Sequence, residues 1–179
     1  AMKDFSHPGT DKQLIDLNRS VESCLTVSRS EWKYVAEPAF SLSPDLPRVN
    51  VSPGEINQVC VNIIVNAAHA IADRYAGQTG LQGRISVSTR HEGDNVVIEI
   101  GDNGCGMPES VKEKIFNPFF TTKEVGRGTG QGLAIAYDIV VNRHGGALRV
   151  ESEAGVGTRF LIELPVGQVE QATPFEDAA

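Results

Sequence analysis

Apolar residues recur every three or four positions in three stretches of the chain, and this spacing predicts amphipathic helices. The stretches are residues 11–31, residues 53–75 and residues 131–144. The middle stretch has the clearest start, because Ser52 can cap it and Glu55 stands where a capping box requires an acid. Two consecutive glycines end the third stretch, as they often end helices.

Apolar and polar residues alternate elsewhere, which predicts strands with one buried face. The segments RISVSTR and NVVIEIG flank HEGD, and ALRVESE and TRFLIELP flank AGVG, so each pair is expected to form a β-hairpin. Residues 32–42 are also expected to be extended. The order of these elements predicts an α+β fold in which helices cover one face of a single mixed sheet.

Composition narrows the possible functions. A length of 179 residues suits one domain with a short appendage, and 40% hydrophobic residues suit a globular core. The net charge of −7 argues against nucleic-acid binding. No apolar run has the length of a membrane span, and Cys24, Cys60 and Cys105 form no paired motif. We therefore expect a cytoplasmic segment without membrane contact.

A polar stripe runs along the middle predicted helix. Its asparagines are mediocre helix formers and apolar residues flank them, which favours a functional role. Amide oxygens four residues apart can bind a hard cation such as Mg²⁺ that also holds phosphates. The alternative is that the stripe is the solvated face of the helix. At about 100° per residue, the stripe contains Glu55, Gln58, Asn62, Asn66, His69 and Asp73.

The segment DNGCGMP directly follows the second strand of the first predicted hairpin. Asp102 can accept a hydrogen bond from an exocyclic amine such as that of adenine. Gly104 and Gly106 would let a flat ring approach the backbone. An ordinary turn is the alternative interpretation, because Asp-Asn-Gly is a common turn sequence.

Glycines also precede the third predicted helix, in the segment GRGTGQGLAIA. Free amides of Gly128, Gly130 and Gly132 at the start of a helix would form an anion site. The segment is neither a P-loop nor a dinucleotide-binding motif, because the Lys-Ser/Thr ending is absent and Leu133 replaces the third glycine. A flexible loop that enters a helix is the alternative.

The segment IFNPFFTTKEVGRG lies between the two glycine clusters. Phe116, Phe119 and Phe120 provide apolar anchors, and Lys123 and Arg127 add cations beside the predicted anion site. This combination is typical of a lid over a nucleotide, whereas clustered aromatic residues alone would indicate a small core patch.

These four motifs, in this order, resemble the ATP-binding catalytic domain of bacterial sensor histidine kinases. NIIVNAAHAI is similar to the asparagine box of that family, DNGCGMP to its first glycine box, IFNPFFTTK to its phenylalanine box and GTGQGLAIA to its second glycine box. The resemblance covers about residues 33–166, and the phenylalanine box is most similar to the nitrogen-regulation type. It implies a two-layer α/β sandwich in which ATP lies between the helices and a flexible lid.

The resemblance also implies a role for each matching residue. Asn66 would ligate Mg²⁺, Asn62 would lie near the phosphates, and Lys123 would complete the catalytic set. Asp102 would bind the adenine amino group. The full expected ATP site contains Asn62, Asn66, Asp102, Gly104, Gly106, Met107, Phe120, Thr122, Lys123, Arg127, Gly128, Thr129, Gly130, Gly132 and Leu133.

One position distinguishes kinases from ATPases of the same fold, such as gyrase, MutL and heat-shock chaperones. Those ATPases carry a glutamate one helical turn before the Mg²⁺ asparagine, where it activates water. Here that position is Asn62, and an amide cannot accept a proton at neutral pH. We therefore favour a kinase over the alternatives, which are a fold-related ATPase, a nucleotide-free binding module and a serine kinase of the anti-sigma type.

The same resemblance implies three parts and two partners. Residues 1–31 would be the end of a dimerisation helix and a linker, residues 32–166 the catalytic domain, and residues 167–179 a flexible tail. His7 is followed by Pro8 and does not match the phosphoacceptor motif of the family. The γ-phosphoryl group of ATP would therefore go to a histidine on a dimerisation domain absent from this chain, in a full-length homodimer that signals to a response regulator.

Overall fold

The computed structural model of the chain describes residues 11–80, 83–118, 120 and 131–167. Seven strands and five α-helices are formed within these ranges, and a π-helical segment extends the last helix. The elements are β1 (Gln13–Ile15), α1 (Leu17–Val27), α2 (Arg29–Trp32), β2 (Ala36–Ser41), β3 (Val49–Val51), α3 (Pro53–Arg74), β4 (Gly83–Glu92), β5 (Asn95–Asp102), α4 (Glu109–Lys112), α5 (Gly132–Tyr137), the π-helical segment (Asp138–Arg143), β6 (Ala147–Glu153) and β7 (Gly157–Pro165).

The main sheet has five strands in the order β2-β4-β5-β7-β6. β2 is parallel to β4, and the three other pairings are antiparallel, so the sheet is mixed as predicted. β4 with β5 and β6 with β7 form the two predicted hairpins. A separate antiparallel pair joins β1 to β3, with Gln13 opposite Val51.

The hydrophobic core lies between one face of this sheet and the helices. Side chains of a strand alternate between its two faces, and in β5 Val96, Ile98 and Ile100 all face the core and are buried. From the helical layer, Ile56, Ile63 and Ile71 of α3 enter the same core at its centre. The predicted coverage of one face by helices is therefore confirmed, and α3 is the helix at its middle.

The opposite face of the sheet carries charged side chains that pair across strands. Arg90 on β4 donates to Glu99 on β5 with Nη1 2.8 Å from Oε2. Arg159 on β7 bridges Glu99 and Glu151, with its Nη1 3.2 Å from Glu99 Oε1. Exposed ion pairs of this kind add little stability, but they keep a sheet face solvated. This face is therefore the solvated side of the sheet.

The first predicted helix, residues 11–31, is wrong as a single element. Its first residues form β1, and α1 begins only at Leu17, because the side chain of Asp16 caps it by accepting from the Asn18 N–H at 3.0 Å. The apolar face of α1 then packs against α3 as part of the common core. Its buried residues are Leu17, Val21, Cys24 and Leu25.

The predicted capping box at the start of α3 is also wrong. Ser52 is the N-cap residue, but its side chain makes no capping hydrogen bond. Its backbone N–H donates instead to His144 Nε2 at 3.1 Å, and Glu55 Oε1 pairs with Arg143 Nη1 at 2.9 Å. The start of α3 is thus tied to the end of the π-helical segment rather than capped by its own residues.

The third predicted helix is α-helical only over α5 and continues as the π-helical segment. It ends at the two predicted glycines, of which Gly145 has a φ of +64°, a conformation that glycine adopts without steric cost.

Across the described ranges, none of the helices combines the length and apolarity needed to cross a bilayer.

Candidate functional site

The polar stripe of α3 meets the start of α5. Asn62 and Asn66 are both half-buried, and Asn62 Nδ2 donates to the Gly132 carbonyl oxygen at 3.1 Å. The nearest side-chain atoms to a Cβ placed on Gly132 would also belong to Asn62, at 3.6 Å and beyond. The structure therefore brings the asparagine motif and the second glycine motif to one place.

Asp102 stands at the end of β5, on the other side of the predicted site. Its Oδ1 accepts a hydrogen bond from the Gly104 N–H at 2.8 Å. Burial raises the pKa of this carboxyl from 3.8 to about 6, although the backbone N–H groups of Gly104 and Thr158 oppose the shift by bonding to the charged form. A half-buried carboxylate that is held in place by backbone donors is suited to accept a hydrogen bond from an amine of a ligand.

The two glycines after Asp102 approach protein backbone closely. A Cβ on Gly104 would lie 2.6 Å from the Ala70 backbone, and one on Gly106 would clash with the Glu153 carbonyl oxygen. The Cys105 N–H also donates to the Ala70 carbonyl oxygen at 3.2 Å. These glycines are thus required by contacts within the protein, and their predicted role beside adenine stays a prediction.

Residues 103–107, here called the glycine loop, are held by Arg74, the last residue of α3. Arg74 Nη1 lies 2.8 Å from the carbonyl oxygen of Asn103 and 3.2 Å from that of Gly104. The same atom lies 2.9 Å from the carbonyl oxygen of Val156, in the turn between β6 and β7. This contact could not be predicted from the sequence, because a basic residue in the last turn of a helix is ordinary.

Three other predicted residues lie beside the core. Met107, Phe120 and Leu133 are partly buried against it, and the Met107 N–H donates to Ser152 Oγ at 2.9 Å. The remaining predicted residues belong to the lid and its glycines and lie outside the described residues. They are Thr122, Lys123, Arg127, Gly128, Thr129 and Gly130.

Helix α3 sets the length of the candidate site. Asn62, beside Gly132, and Ala70, beside Gly104, are eight residues apart, which corresponds to about 12 Å along a helix. The two ends differ in character, since one has amides and a helix start, and the other has a buried carboxylate and a tightly held loop. Such a site suits an elongated ligand with an anionic end and an amine-bearing ring.

The family model "Histidine kinase-, DNA gyrase B-, and HSP90-like ATPase" matches residues 52–168. The chain belongs to this family. The match includes α3, both hairpins and all four motifs, so the resemblance to the family is confirmed. The narrower resemblance to the nitrogen-regulation type stays a prediction, as do the boundaries at residues 31 and 166.

Two named members of the family are similar to this chain. Sensor kinase CckA of Brucella abortus (strain 2308) is 45% identical over 130 residues, which make up 68% of this chain and 13% of that protein. Sensor histidine kinase ZraS of Salmonella typhimurium is 38% identical over 156 residues, or 86% of this chain and 31% of that protein. The chain thus spans less than a third of the length of these relatives.

Solved structures show the same fold. The catalytic domain of histidine kinase ThkA in a nucleotide-free form is 30% identical, with a TM-score of 0.73 over 87% of this chain and 95% of that one. A complex of ThkA with the response regulator protein TrrA matches with 27% identity and a TM-score of 0.68, over 86% of this chain and 41% of that one.

Proposed function

We propose that this chain is the catalytic domain of a two-component sensor histidine kinase, which binds ATP with Mg²⁺ and donates the γ-phosphoryl group to a histidine. The bond between the β- and γ-phosphates would break, a bond from phosphorus to the imidazole nitrogen would form, and ADP would leave. The acceptor histidine would lie on a dimerisation domain outside this chain, in a homodimer of the full-length protein.

The contact between Asn62 and Gly132 is the observation that carries this proposal. It places the amide-bearing face of α3 next to the start of α5, where backbone N–H groups can receive phosphates. The Asp102 carboxylate lies at the opposite end, where it would accept the adenine amine. The intervening length of α3 suits the ribose and the phosphates between them.

The side chains present fit a magnesium ion held mainly by its nucleotide. Within the described ranges, no three His, Cys, Asp or Glu side chains form a group that could hold a metal ion. Mg²⁺ prefers few protein oxygens together with phosphate oxygens and water. The Asn66 amide oxygen would supply such a ligand, and the bound ion would neutralise charge on the phosphates.

Transfer rather than hydrolysis is supported by the surroundings of Asn62. Its amide is neutral and already donates to Gly132, so it cannot serve as a base toward water. Glu55, a carboxylate on the same stripe of α3, lies almost two helical turns before Asn62. Its Oε1 pairs with Arg143 Nη1 at 2.9 Å. The γ-phosphate would therefore persist until an acceptor histidine arrives.

The comparisons support a response regulator as the downstream partner. ThkA, which is similar to this chain in fold and sequence, has been solved with the response regulator protein TrrA. We propose that the full-length protein passes its phosphoryl group to a protein of that class. The predicted absence of nucleic-acid and membrane partners, and the cytoplasmic location, stay predictions.

The first experiment is a calorimetric titration of this chain with ATP and Mg²⁺, continued for hours after saturation. We expect saturable binding heat followed by a flat baseline, because the neutral amide of Asn62 cannot activate water. We also expect no acid-labile phosphate on the chain itself, since the acceptor histidine lies elsewhere. Phosphohistidine should appear only when a dimerisation domain is supplied.

Two outcomes would contradict the proposal in different ways. Sustained heat after saturation, matched by release of inorganic phosphate, would identify an ATPase of the same fold. Absence of binding heat at two temperatures would identify a binding module that takes no nucleotide. The second temperature is needed because the enthalpy of binding can pass through zero at one temperature.

A further inference from the structure

We infer that Arg74 is a positioning residue that fixes the base end of the nucleotide site and thereby its preference for adenine. This inference rests on the proposed function. Arg74 lies outside the four motifs, and its side chain points to the glycine loop rather than to the core. It would not touch the nucleotide, but it would determine where Asp102 and the glycine loop stand.

The contacts of Arg74 join three separate elements. Its backbone belongs to the last turn of α3, while its guanidinium holds two carbonyl oxygens of the glycine loop and one of the turn between β6 and β7. Hydrogen bonds that involve a charged donor are stronger than those between neutral groups. One side chain therefore fixes the distance between α3, β5 and β7 at the point where Asp102 ends its strand.

A short chain of bonds connects Arg74 to the Asp102 carboxylate. The Gly104 carbonyl oxygen accepts a hydrogen bond from Arg74 Nη1, and the Gly104 N–H donates one to Asp102 Oδ1 at 2.8 Å. The same peptide segment is held on its other side by the Cys105 N–H, which donates to Ala70. Movement of Gly104 would therefore move the donor that orients the carboxylate.

The orientation of this carboxylate should control base selection. Adenine presents an amine that donates to a carboxylate, whereas guanine presents a carbonyl oxygen at the same ring position. A fixed Asp102 therefore attracts adenine and repels guanine, and a mobile Asp102 would do both less well. A residue that fixes Asp102 contributes to the ratio of the two affinities and not only to their magnitude.

Arg74 can be replaced without opening the core, because its side chain is exposed and, among the described residues, its contacts are to backbone carbonyls and the Tyr75 ring. Arg84 offers a matched control. It is also exposed and lies next to the glycine loop, but only its backbone N–H bonds to that loop, at 2.6 Å from Asn103 Oδ1. Arg84→Ala keeps that bond and removes the same charge.

The test measures the Kd of ATP and of GTP, each with Mg²⁺, for the wild type, Arg74→Ala and Arg84→Ala. We expect Arg74→Ala to raise the Kd of ATP about tenfold, as for the loss of hydrogen bonds from a charged donor. The Kd of GTP should change less than about twofold, so the preference for adenine should fall about fivefold or more. Arg84→Ala should keep the wild-type ratio.

A purely structural role gives a different pattern. If Arg74 only stabilised the fold, Arg74→Ala would lower the unfolding midpoint and raise the Kd of ATP and the Kd of GTP by the same factor. That result would overturn the inference. An unchanged Kd of ATP would overturn it as well. Amide hydrogen exchange provides a readout without nucleotide, because the Cys105 N–H should exchange faster in Arg74→Ala, while amides in the middle of β4, away from the contact of Arg84 with Asn103, should not change.

This exchange measurement also separates the inference from the proposed function. Wild-type protein that binds no ATP would refute the proposed function, and it would also refute the proposed role of Arg74 in the preference for adenine. Faster Cys105 exchange in Arg74→Ala would then still support Arg74 as the residue that holds the glycine loop. Unchanged exchange would refute that role whether or not ATP binds.

Discussion

Burial of the Asp102 carboxylate has opposite consequences for stability and for ligand binding. The folded protein raises the pKa of this group to about 6, so between its ordinary pKa of 3.8 and that value the folded state holds the proton more tightly than the unfolded state. The contribution of Asp102 to stability is therefore most favourable at low pH, and it is lost as the pH rises through about 6. At neutral pH the charged carboxylate therefore has a cost to folding, and it is the form that would accept a hydrogen bond from adenine in the proposed site.

Replacement of Asp102 by Asn should reveal this cost. At pH 7, Asp102→Asn should increase the free energy of unfolding by up to about 3 kcal/mol, because a neutral amide is less costly to bury. The gain should vanish near pH 4, where the carboxyl is protonated. ATP affinity should fall instead, since the amide is a weaker acceptor for the adenine amine. Urea unfolding at both pH values and calorimetry with ATP measure the two effects.

The matched control for this prediction is Asp94→Asn, which changes an exposed aspartate in the turn between β4 and β5. It should leave both the free energy of unfolding at pH 7 and the affinity for ATP almost unchanged. A lower stability of Asp102→Asn at pH 7 would show that the backbone donors of Gly104 and Thr158 outweigh burial. Unchanged affinity would remove Asp102 from the adenine site.

At the residue scale, the sequence predicts chemical type better than it predicts contacts. Asp102 could be recognised because an acid follows a strand directly and two glycines come after it. The neighbours of those glycines, Ala70 and Glu153, could not be recognised, because they come from elements far away in the sequence. Arg74 was missed for the same reason, since its acceptors are 29 to 82 residues away.

At the element scale, His144 joins the start of α3 to the helical segment that continues α5, at the proposed phosphate end of the site. It is buried, and its Nε2 accepts from the Ser52 N–H at 3.1 Å, while its Nδ1 lies 2.8 Å from the Ile139 carbonyl oxygen. With these partners, Nδ1 carries the hydrogen that is donated to Ile139, and Nε2 is the acceptor. The start of α3 is thereby fixed relative to the helix that follows the second glycine motif.

Removal of this ring should therefore loosen the packing of the two helical segments. His144→Ala should lower the free energy of unfolding by about 1–3 kcal/mol, because the buried Ser52 N–H and Ile139 carbonyl lose their hydrogen bonds to this ring. Urea unfolding monitored by circular dichroism measures this change. His91→Ala, which removes an exposed histidine on β4, serves as the control and should leave stability almost unchanged. Equal effects of both substitutions would refute the bridging role.

The elements that could be predicted are those whose signal lies within their own residues. α3 has a long helical period, and each hairpin has two apolar strand segments on either side of a short turn, so each can be predicted without knowledge of its neighbours. β1 has only three residues and exists because it pairs with β3, while the end of α5 becomes π-helical in a tertiary context. The pairing of Glu55 with Arg143 likewise depends on an element that lies 88 residues further along.

At the scale of the whole molecule, α1 belongs to the same core as the sheet. Val21 is fully buried on the side that faces α3, whereas Val27 on the same helix is 77% exposed. Val21→Ala should lower the free energy of unfolding by about 1.5–3 kcal/mol, whereas Val27→Ala should change it by less than about 0.5 kcal/mol. Chemical denaturation of both variants tests this difference. Similar effects would show that α1 does not pack as the structure describes.

A truncated chain tests the predicted division at residue 31 directly. A fragment of residues 32–179 lacks β1, α1 and all but the last residue of α2, so it exposes the apolar faces of α3 and leaves β3 without its partner strand. We expect this fragment to lose cooperative unfolding and to bind ATP at least about tenfold more weakly than the full chain. The reason is that the core loses the apolar side chains that α1 buries in it. Thermal unfolding and calorimetry with ATP measure both properties. A fragment that unfolds cooperatively and binds ATP normally would instead support a catalytic domain that begins at residue 32, with α1 as an accessory link to the dimerisation domain.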